Sequence, residues 1–456
     1  LPPGHDILIR NLHGNAGGGT MSEKKFDVII TGGGIAGLSA GALLSRKGYS
    51  CCVLEQLPIA GGRARVVEKD GFLIDYGIHV HRYAGQGRAA DVLRKAGIAR
   101  RFLHAGPPLV WHNGRFTAFP KGPAQIIASP LLGLAGKVQL IKLFSGVLLG
   151  KSDPAEYRLT VTEWLKNKGA TAQDLQDFAR LISTAGLVCS DIERASAGEL
   201  ADFLRSAIKA REASGYFLGG WDNLIEQLMR VIEEHGEVRM DVKVEEIIVQ
   251  DGVAAGVRAN GSDLFARCVI AAVPVQHLAK IAQPDWFEQG AWDRMKAMEP
   301  TAGLSVDLCL KRRVTDISGI VFTMDPYTMG VFTSNIEPAL APSGKQLATW
   351  YYPIPRNKMD DKAFLKGERV RLNDLIESMF PGLRDAVEYE RFIAMDMVDG
   401  AVPVVGQSWP ERPAVDCSRV KNLFIAGDAC GVPGQGGDIA FNAGIHAAEK
   451  AADFLK

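Results

Sequence analysis

Phe26-Asp27-Val28-Ile29-Ile30 is a short β-branched run, and Gly32-Gly33-Gly34-Ile35-Ala36-Gly37 follows it almost at once. Leu38-Ser39-Ala40-Gly41-Ala42-Leu43-Leu44 then has helix-forming composition, and a second run, Cys51-Cys52-Val53-Leu54, ends at Glu55. Strand, turn, helix and strand in about thirty residues make one βαβ unit. The glycine cluster satisfies G-x-G-x-x-G at the one place where that spacing has a physical use. Gly32 permits a tight turn, Gly34 lets backbone approach a pyrophosphate, and Gly37 lets helix and strand pack closely. The helix start, with Ile35 and Ala36 in its first turn, offers unpaired N–H groups and a positive dipole end to phosphates. Glu55, eighteen residues past Gly37 and with Gln56 beside it, can accept from both ribose hydroxyls of a dinucleotide. Its charge repels a 2′-phosphate, which disfavours NADP.

The choice between NAD and FAD turns on what comes next. Ala60-Gly61-Gly62-Arg63-Ala64-Arg65 puts paired glycines and a cation just after Glu55. The diphosphate and ribityl chain of a longer cofactor need such a close backbone and counter-charge, and Gly62 and Arg63 are the candidates. Gly71-Phe72-Leu73-Ile74-Asp75-Tyr76-Gly77-Ile78-His79 follows. With these motifs in this order the chain resembles the flavin-containing amine oxidase and phytoene desaturase superfamily, which carries a G-G-R motif and a D-x-G segment after its fingerprint.

Three later stretches extend the resemblance. Phe217-Leu218-Gly219-Gly220-Trp221 is similar to the family's apolar-GG turn, and Val242-Lys243-Val244-Glu245-Glu246-Ile247 to the strand whose valine, Val244 in this sequence, lies on the adenine. Asn422-Leu423-Phe424-Ile425-Ala426-Gly427-Asp428, with Gly434-Gln435-Gly436-Gly437-Asp438-Ile439-Ala440 behind it, is similar to the strand and helix that close over the flavin. The resemblance implies non-covalent FAD, with Gly77 and Ile78 among its contacts, His79, His81 and Tyr83 passing close to its reacting face, and Asp428, after Gly427, bonding its ribityl or phosphate region. It also implies that the helix starting around Gly437, Asp438, Ile439 and Ala440 aims its N-terminus at the N1/O2 edge of the ring. Reduced flavin is negative there, and backbone donors with a positive dipole stabilise it.

The chain also departs from the family. Ile59 stands where the family often has an arginine, two residues before the paired glycines. In amine oxidases a lysine on a substrate-domain strand holds a water against flavin N5; along Ala302-Gly303-Leu304-Ser305-Val306-Asp307-Leu308-Cys309-Leu310 that place falls to Ser305. Trp350, Tyr351, Tyr352 and Trp409 could supply an aromatic cage, although aromatics on strands usually serve as core. His79 is the candidate catalytic residue, because imidazole titrates near neutrality; an equally weighted reading makes it an ordinary satisfied histidine. Cys430 reads as a buried thiol before it reads as a flavin tether.

The fold class expected is α/β: a Rossmann-like FAD-binding domain assembled from N-terminal, central and C-terminal segments (21–105, 215–300 and 397–456), with an α+β substrate domain (106–214 and 301–396) inserted. Residues 1–20 read as a flexible extension or expression remnant. Lys+Arg and Asp+Glu tie at 52 each, and no basic run has interleaved aromatics, which excludes nucleic acid as a partner. The seven cysteines include no C-x-x-C pair, so neither a metal site nor a disulfide relay is expected, and reduced thiols suit a cytoplasmic location. The longest apolar candidate, 126–150, is interrupted by Pro130, Lys137 and Lys142, which argues against a membrane span. That segment could still line a greasy tunnel or touch a bilayer surface.

The activity expected is hydride removal from a substrate C–H by FAD, with dioxygen or a quinone reoxidising the flavin, since no second nucleotide fingerprint is present. A small or lipid-like apolar or alicyclic substrate of a desaturase comes first. A flavin amine oxidase, and a non-redox isomerase or flavin-binding protein, are the alternatives.

Overall fold

A computed structural model describes residues 25–149, 153–212 and 214–456, so the expected N-terminal extension lies outside the described residues. Phe26–Thr31 forms a strand with parallel neighbours on both sides, Cys51–Leu54 and Ser262–Ala271. A parallel strand covered on both faces needs a nearly continuous apolar run, which is what Val28, Ile29 and Ile30 provide. The whole sheet runs Val244–Gln250, Val253–Ala259, Ser262–Ala271, Phe26–Thr31, Cys51–Leu54, Glu237–Arg239, and Leu423–Ile425 also pairs with Ser262–Ala271.

Ser262–Ala271 belongs to two environments along its length. Its first residues close the antiparallel meander against Val253–Ala259, and its last ones run parallel to Phe26–Thr31 and Leu423–Ile425. Burial follows the change: it alternates up to Arg267 and is unbroken from Cys268 to Ala271. The half-solvated stretch interleaved with Asp263 and Arg267 gives a weak apolar signal in the sequence, and the unbroken part a strong one. Asn422 ties this junction together. Its amide group donates to the carbonyls of Ala254 and Arg267 at 2.7 and 2.6 Å and accepts from the Ala254 amide at 2.7 Å. Asn422→Ala would leave three buried backbone groups unpaired, so a loss of about 3 kcal/mol is expected, read as a lower denaturant midpoint with an unchanged slope.

Two helices cover the glycine turn. Ile35–Ser45, buried along its entire length, packs on the closing helix Gly437–Leu455 and on Gly220–Glu233. A β-carbon on Gly37 would stand 2.1 Å from the Gly32 carbonyl oxygen, and Gly32 itself has φ +105°, so both glycines are demanded by the turn.

The second sheet runs Val387–Met395, Gly303–Leu310, Gln346–Pro353, Met329–Val331, Val321–Thr323, Leu109–His112, Arg115–Ala118. One face packs Phe322, Met329 and Tyr351 against helices Leu134–Leu149, Gln173–Leu187 and Ala197–Lys209. The other packs Val306, Leu308 and Trp350 against Lys362–Met379. The apolar stretch singled out from the sequence becomes two helices, Pro123–Ala128 and Leu134–Leu149, with Ile127, Leu134 and Val138 exposed. Among the described residues no helix is long and apolar enough to cross a membrane.

Candidate functional site

A cavity of about 1010 Å³ opens between the two sheets, lined by residues from both. Its volume is at the top of the range of about 300–1,000 Å³ for small-molecule sites, enough for a dinucleotide-sized molecule with space beside it. Of the residues expected to hold a cofactor, the wall contains Gly32, Gly34, Ile35, Ala36, Glu55, Gln56, Gly62, Arg63, Gly77, Ile78, His79, Val244, Gly427, Asp428, Gly437, Asp438 and Ala440. Gly37 and Ile439 are not on it. Gly37 is consumed by helix–strand packing, and Ile439 turns into the core at 4 % exposure.

The chemistry of this wall fits FAD. At Gly34 an added β-carbon would find its nearest neighbour, the Gly62 Cα, only at 4.0 Å, and at Gly437 it would meet nothing within 4 Å. No contact within the protein asks for glycine at either place, so both leave room for a ligand to touch backbone. The helix that starts after Gly34 has no side-chain cap and no acidic residue in its first turn, which leaves its dipole end open to an anion. Glu55, at the end of its strand, accepts from the Gly33 amide at 2.8 Å and the Leu57 amide at 2.9 Å. Two amides fix the carboxylate at the cavity edge, with lone pairs left for hydroxyl donors.

Arg63 and Asp428 meet at 2.6 Å. Burial pushes the Asp428 carboxyl up, but the Arg63 guanidinium and the Gly400 amide outweigh it and hold the acid below its usual range. The same pair grips the loop beyond Val387–Met395: Arg63 donates to the Val398 carbonyl at 3.0 Å, and Gly400 donates to Asp428 at 2.7 Å. That loop brings Met397, Val398 and Asp399 into the cavity, and the sequence reading did not find it. Asp399-Gly400 looks like any turn dipeptide, and only the ion pair, made between residues hundreds of positions apart, shows where it goes.

His79 and His81 line the wall with Trp221, whose indole donates to the His79 carbonyl at 2.7 Å and stacks on His81. Burial, with Arg63 and Arg391 adding to it, lowers His79 to about 4, and burial lowers His81 to about 3. His79 is therefore neutral at physiological pH, which removes the titration near neutrality that had recommended it as an acid/base. Its Nδ1 is buried and has no hydrogen-bond partner among the described residues.

The other expectations divide. Ser305 is fully buried between Tyr351 and Ile393 and is not on the wall. The lysines on the wall are Lys243 and Lys280, flanking Val244 and Ile281, remote in sequence from the Gly437 helix start. Of the four aromatics proposed as a cage, Tyr351 alone reaches the cavity; Trp350 is packed against Phe332 and Phe380, which strands rich in aromatics favour. All seven cysteines are unpaired, and Cys430 is buried off the wall. Among the described residues no cluster of His, Cys, Asp and Glu could hold a metal ion.

The wall contributed by the second sheet and its helices is apolar, built from Val188, Ile320, Phe322, Met329 and Tyr351. A profile of flavin containing amine oxidoreductases matches residues 35–452. The chain belongs to this family. This oxidoreductase is 23% identical to a chloroplastic prolycopene isomerase of Daucus carota, over 92% of this chain and 78% of that protein. It is 24% identical to a 4,4'-diapolycopen-4-al dehydrogenase of Metabacillus indicus, over 88% and 92%. Its fold is similar to that of an oxidoreductase from Methanosarcina mazei, with a TM-score of 0.79 at 19% identity over 92% and 99% of the two chains. The cofactor of this flavin oxidoreductase is FAD.

Proposed function

We propose that this oxidoreductase dehydrogenates an elongated apolar or alicyclic substrate, forming a C=C bond. The observation that carries the reading is that the wall contributed by the second sheet and its helices is apolar and bears no lysine, in the same cavity as the wall that fits the cofactor. Two relatives whose names refer to lycopene-type polyenes support the same substrate class. Gly34, the first-turn amides of Ile35–Ser45, Gly62, Arg63 and Asp428 would hold the diphosphate and ribityl chain, Glu55 the ribose and Val244 the adenine. The amides at the start of Gly437–Leu455 would face the ring. Bound FAD supplies a two-electron acceptor for hydride; the chain supplies position, a dry pocket and fixed dipoles.

In this reading residues 21–105, 215–300 and 397–456 make the FAD domain, and 106–214 with 301–396 the substrate domain. Exposed Ile127, Leu134 and Val138 are where a bilayer carrying the substrate would touch, and a quinone or dioxygen would take the electrons. Anaerobic addition of a saturated or partly saturated polyene precursor is expected to bleach the visible flavin band and yield a product two hydrogens poorer. Turnover that requires pre-reduced flavin and leaves it reduced would favour an isomerase instead, a reading supported by the name of the carrot relative. Bleaching by primary amines alone, with peroxide formed in air, would replace the proposal with an amine oxidase.

A further inference from the structure

Forming a C=C bond removes a hydride from one carbon and a proton from its neighbour, so the site needs a proton acceptor as well as FAD. Five carboxylates line the cavity: Glu55, Glu245, Asp399, Asp428 and Asp438. Glu55 is held by the Gly33 and Leu57 amides, and Asp428 by Arg63 and Gly400. Glu245 is exposed beside Val244 and accepts from Gly261, on the meander. Asp438 lies in the first turn of the closing helix; burial raises it to about 6 as well, but the Arg88 amide bonds its carboxylate and Arg82 and Arg88 face it. Asp399 is different. Among the described residues its carboxylate accepts no hydrogen bond, and although the group lies deep in the protein it keeps open surface, which faces the cavity.

Its backbone, by contrast, is pinned on every side. The Asp399 amide donates to Thr301 Oγ1 at 2.7 Å, and its carbonyl accepts from the Thr301 amide at 3.1 Å. Val398 is bonded to Thr301 and Arg63, and Gly400 to Asp428 and Gln276. A free carboxylate is thus mounted on a rigid loop that is tied to the Arg63–Asp428 pair, next to the apolar Met397 and Val398. One of its oxygens is 3.9 Å from where a β-carbon of Gly436 would stand, at the mouth of the closing helix. Rigid mounting of an unsatisfied group is what a reacting side chain requires and what a structural one does not.

We propose that Asp399 is the catalytic base of this oxidoreductase, taking the proton from the substrate carbon adjacent to the one that loses hydride. The proposal rests on the dehydrogenation reading above. Two C–H bonds break: one bonding pair leaves with its hydrogen as hydride to oxidised flavin, the other pair becomes the π bond, and the bare proton goes to the Asp399 carboxylate. The substrate loses two electrons and the flavin gains them.

The groups facing Asp399 are Asp428, Arg63, Arg82 and Arg412, and Tyr351 from the neighbouring sheet. Burial and then Asp428 raise its carboxyl to about 6 against the three arginines. A base acts in its deprotonated form, so the bleaching rate should climb as pH rises through about 6 and then level off.

The test is anaerobic stopped-flow bleaching of the holoprotein by the polyene precursor, in wild type, Asp399→Asn and Asp399→Glu. Asp399→Asn is expected to bleach about 10²–10⁴-fold more slowly and to lose the limb near pH 6, with precursor Kd changed by less than about threefold. Asp399→Glu should recover part of the rate. Without any substrate, the visible flavin spectrum of wild type should show a step near pH 6 that shrinks in Asp399→Asn, the remainder belonging to Asp438, whose carboxyl burial also raises to about 6. Bleaching of the Asn variant at the wild-type rate, or a wild-type profile flat across pH 6, overturns the role of Asp399 and leaves dehydrogenation standing. The flat profile decides even if the Asn variant retains no FAD. A wild type that no precursor bleaches overturns the dehydrogenation reading itself.

Discussion

Gly34→Ala should yield a protein that folds but binds FAD more weakly. At φ −74° and ψ 174° position 34 has a conformation open to any L-residue, and the added β-carbon would meet nothing of the protein closer than 4.0 Å. The methyl group would instead stand on the cavity wall, on the surface proposed to carry the diphosphate. Forcing a ligand away from a close-packed backbone costs about 1–3 kcal/mol, or roughly 5- to 150-fold in FAD Kd. Titration of apoprotein with FAD would measure it, with far-UV circular dichroism and the apoprotein's thermal midpoint as the control for folding. Gly37→Ala is the counter-experiment: its β-carbon would overlap the Gly32 carbonyl oxygen at 2.1 Å, so apoprotein stability itself should fall. Two alanines three residues apart in one motif would then fail for different reasons. If Gly34→Ala bound FAD as tightly as wild type, the diphosphate would not lie over this turn.

Glu55→Ala should weaken FAD by about 1.5–3 kcal/mol, the worth of a hydrogen bond to a charged group. The structure sharpens this expectation. The carboxylate also accepts from the Gly33 and Leu57 amides, so alanine leaves two amides without their acceptor and loosens the turn that shapes the wall. Glu55→Gln separates the effects, because one oxygen stays as an acceptor while the new NH₂ faces an amide. A smaller loss for Gln than for Ala, in flavin retained after exhaustive dialysis, is the expected order. Full retention of yellow colour by the alanine variant would remove Glu55 from the ribose.

The pH behaviour of the site follows from burial. His79, lowered to about 4, is a neutral ring throughout the physiological range, whereas Asp399, raised to about 6, changes charge close to it. Desolvation disfavours the charged form of each, and so moves a cation's pKa down and a carboxyl's up. The residue chosen from sequence for its titration does not titrate in that range; Asp399, and Asp438 with it, do.

The sequence by itself determined the parts whose physics is local. Gly32 to Gly37 after a β-branched run dictates a turn and a helix start, and Glu55 ends the next strand by its place in the βαβ unit. Each is a short-range consequence of glycine geometry, apolar period or helix-end donors, which a reader can recover from a dozen residues. Tertiary structure alone decided what meets across the cavity. Arg63 is joined to Asp428, and that pair to the loop bearing Asp399, through contacts between positions more than three hundred residues apart. Ser305 and Tyr351 are paired on neighbouring strands, yet Tyr351 reaches the cavity and Ser305 does not. Burial depth, charge environment and the choice of which side chain faces a void are set by the packing of one layer on another, and spacing along a chain carries no record of that.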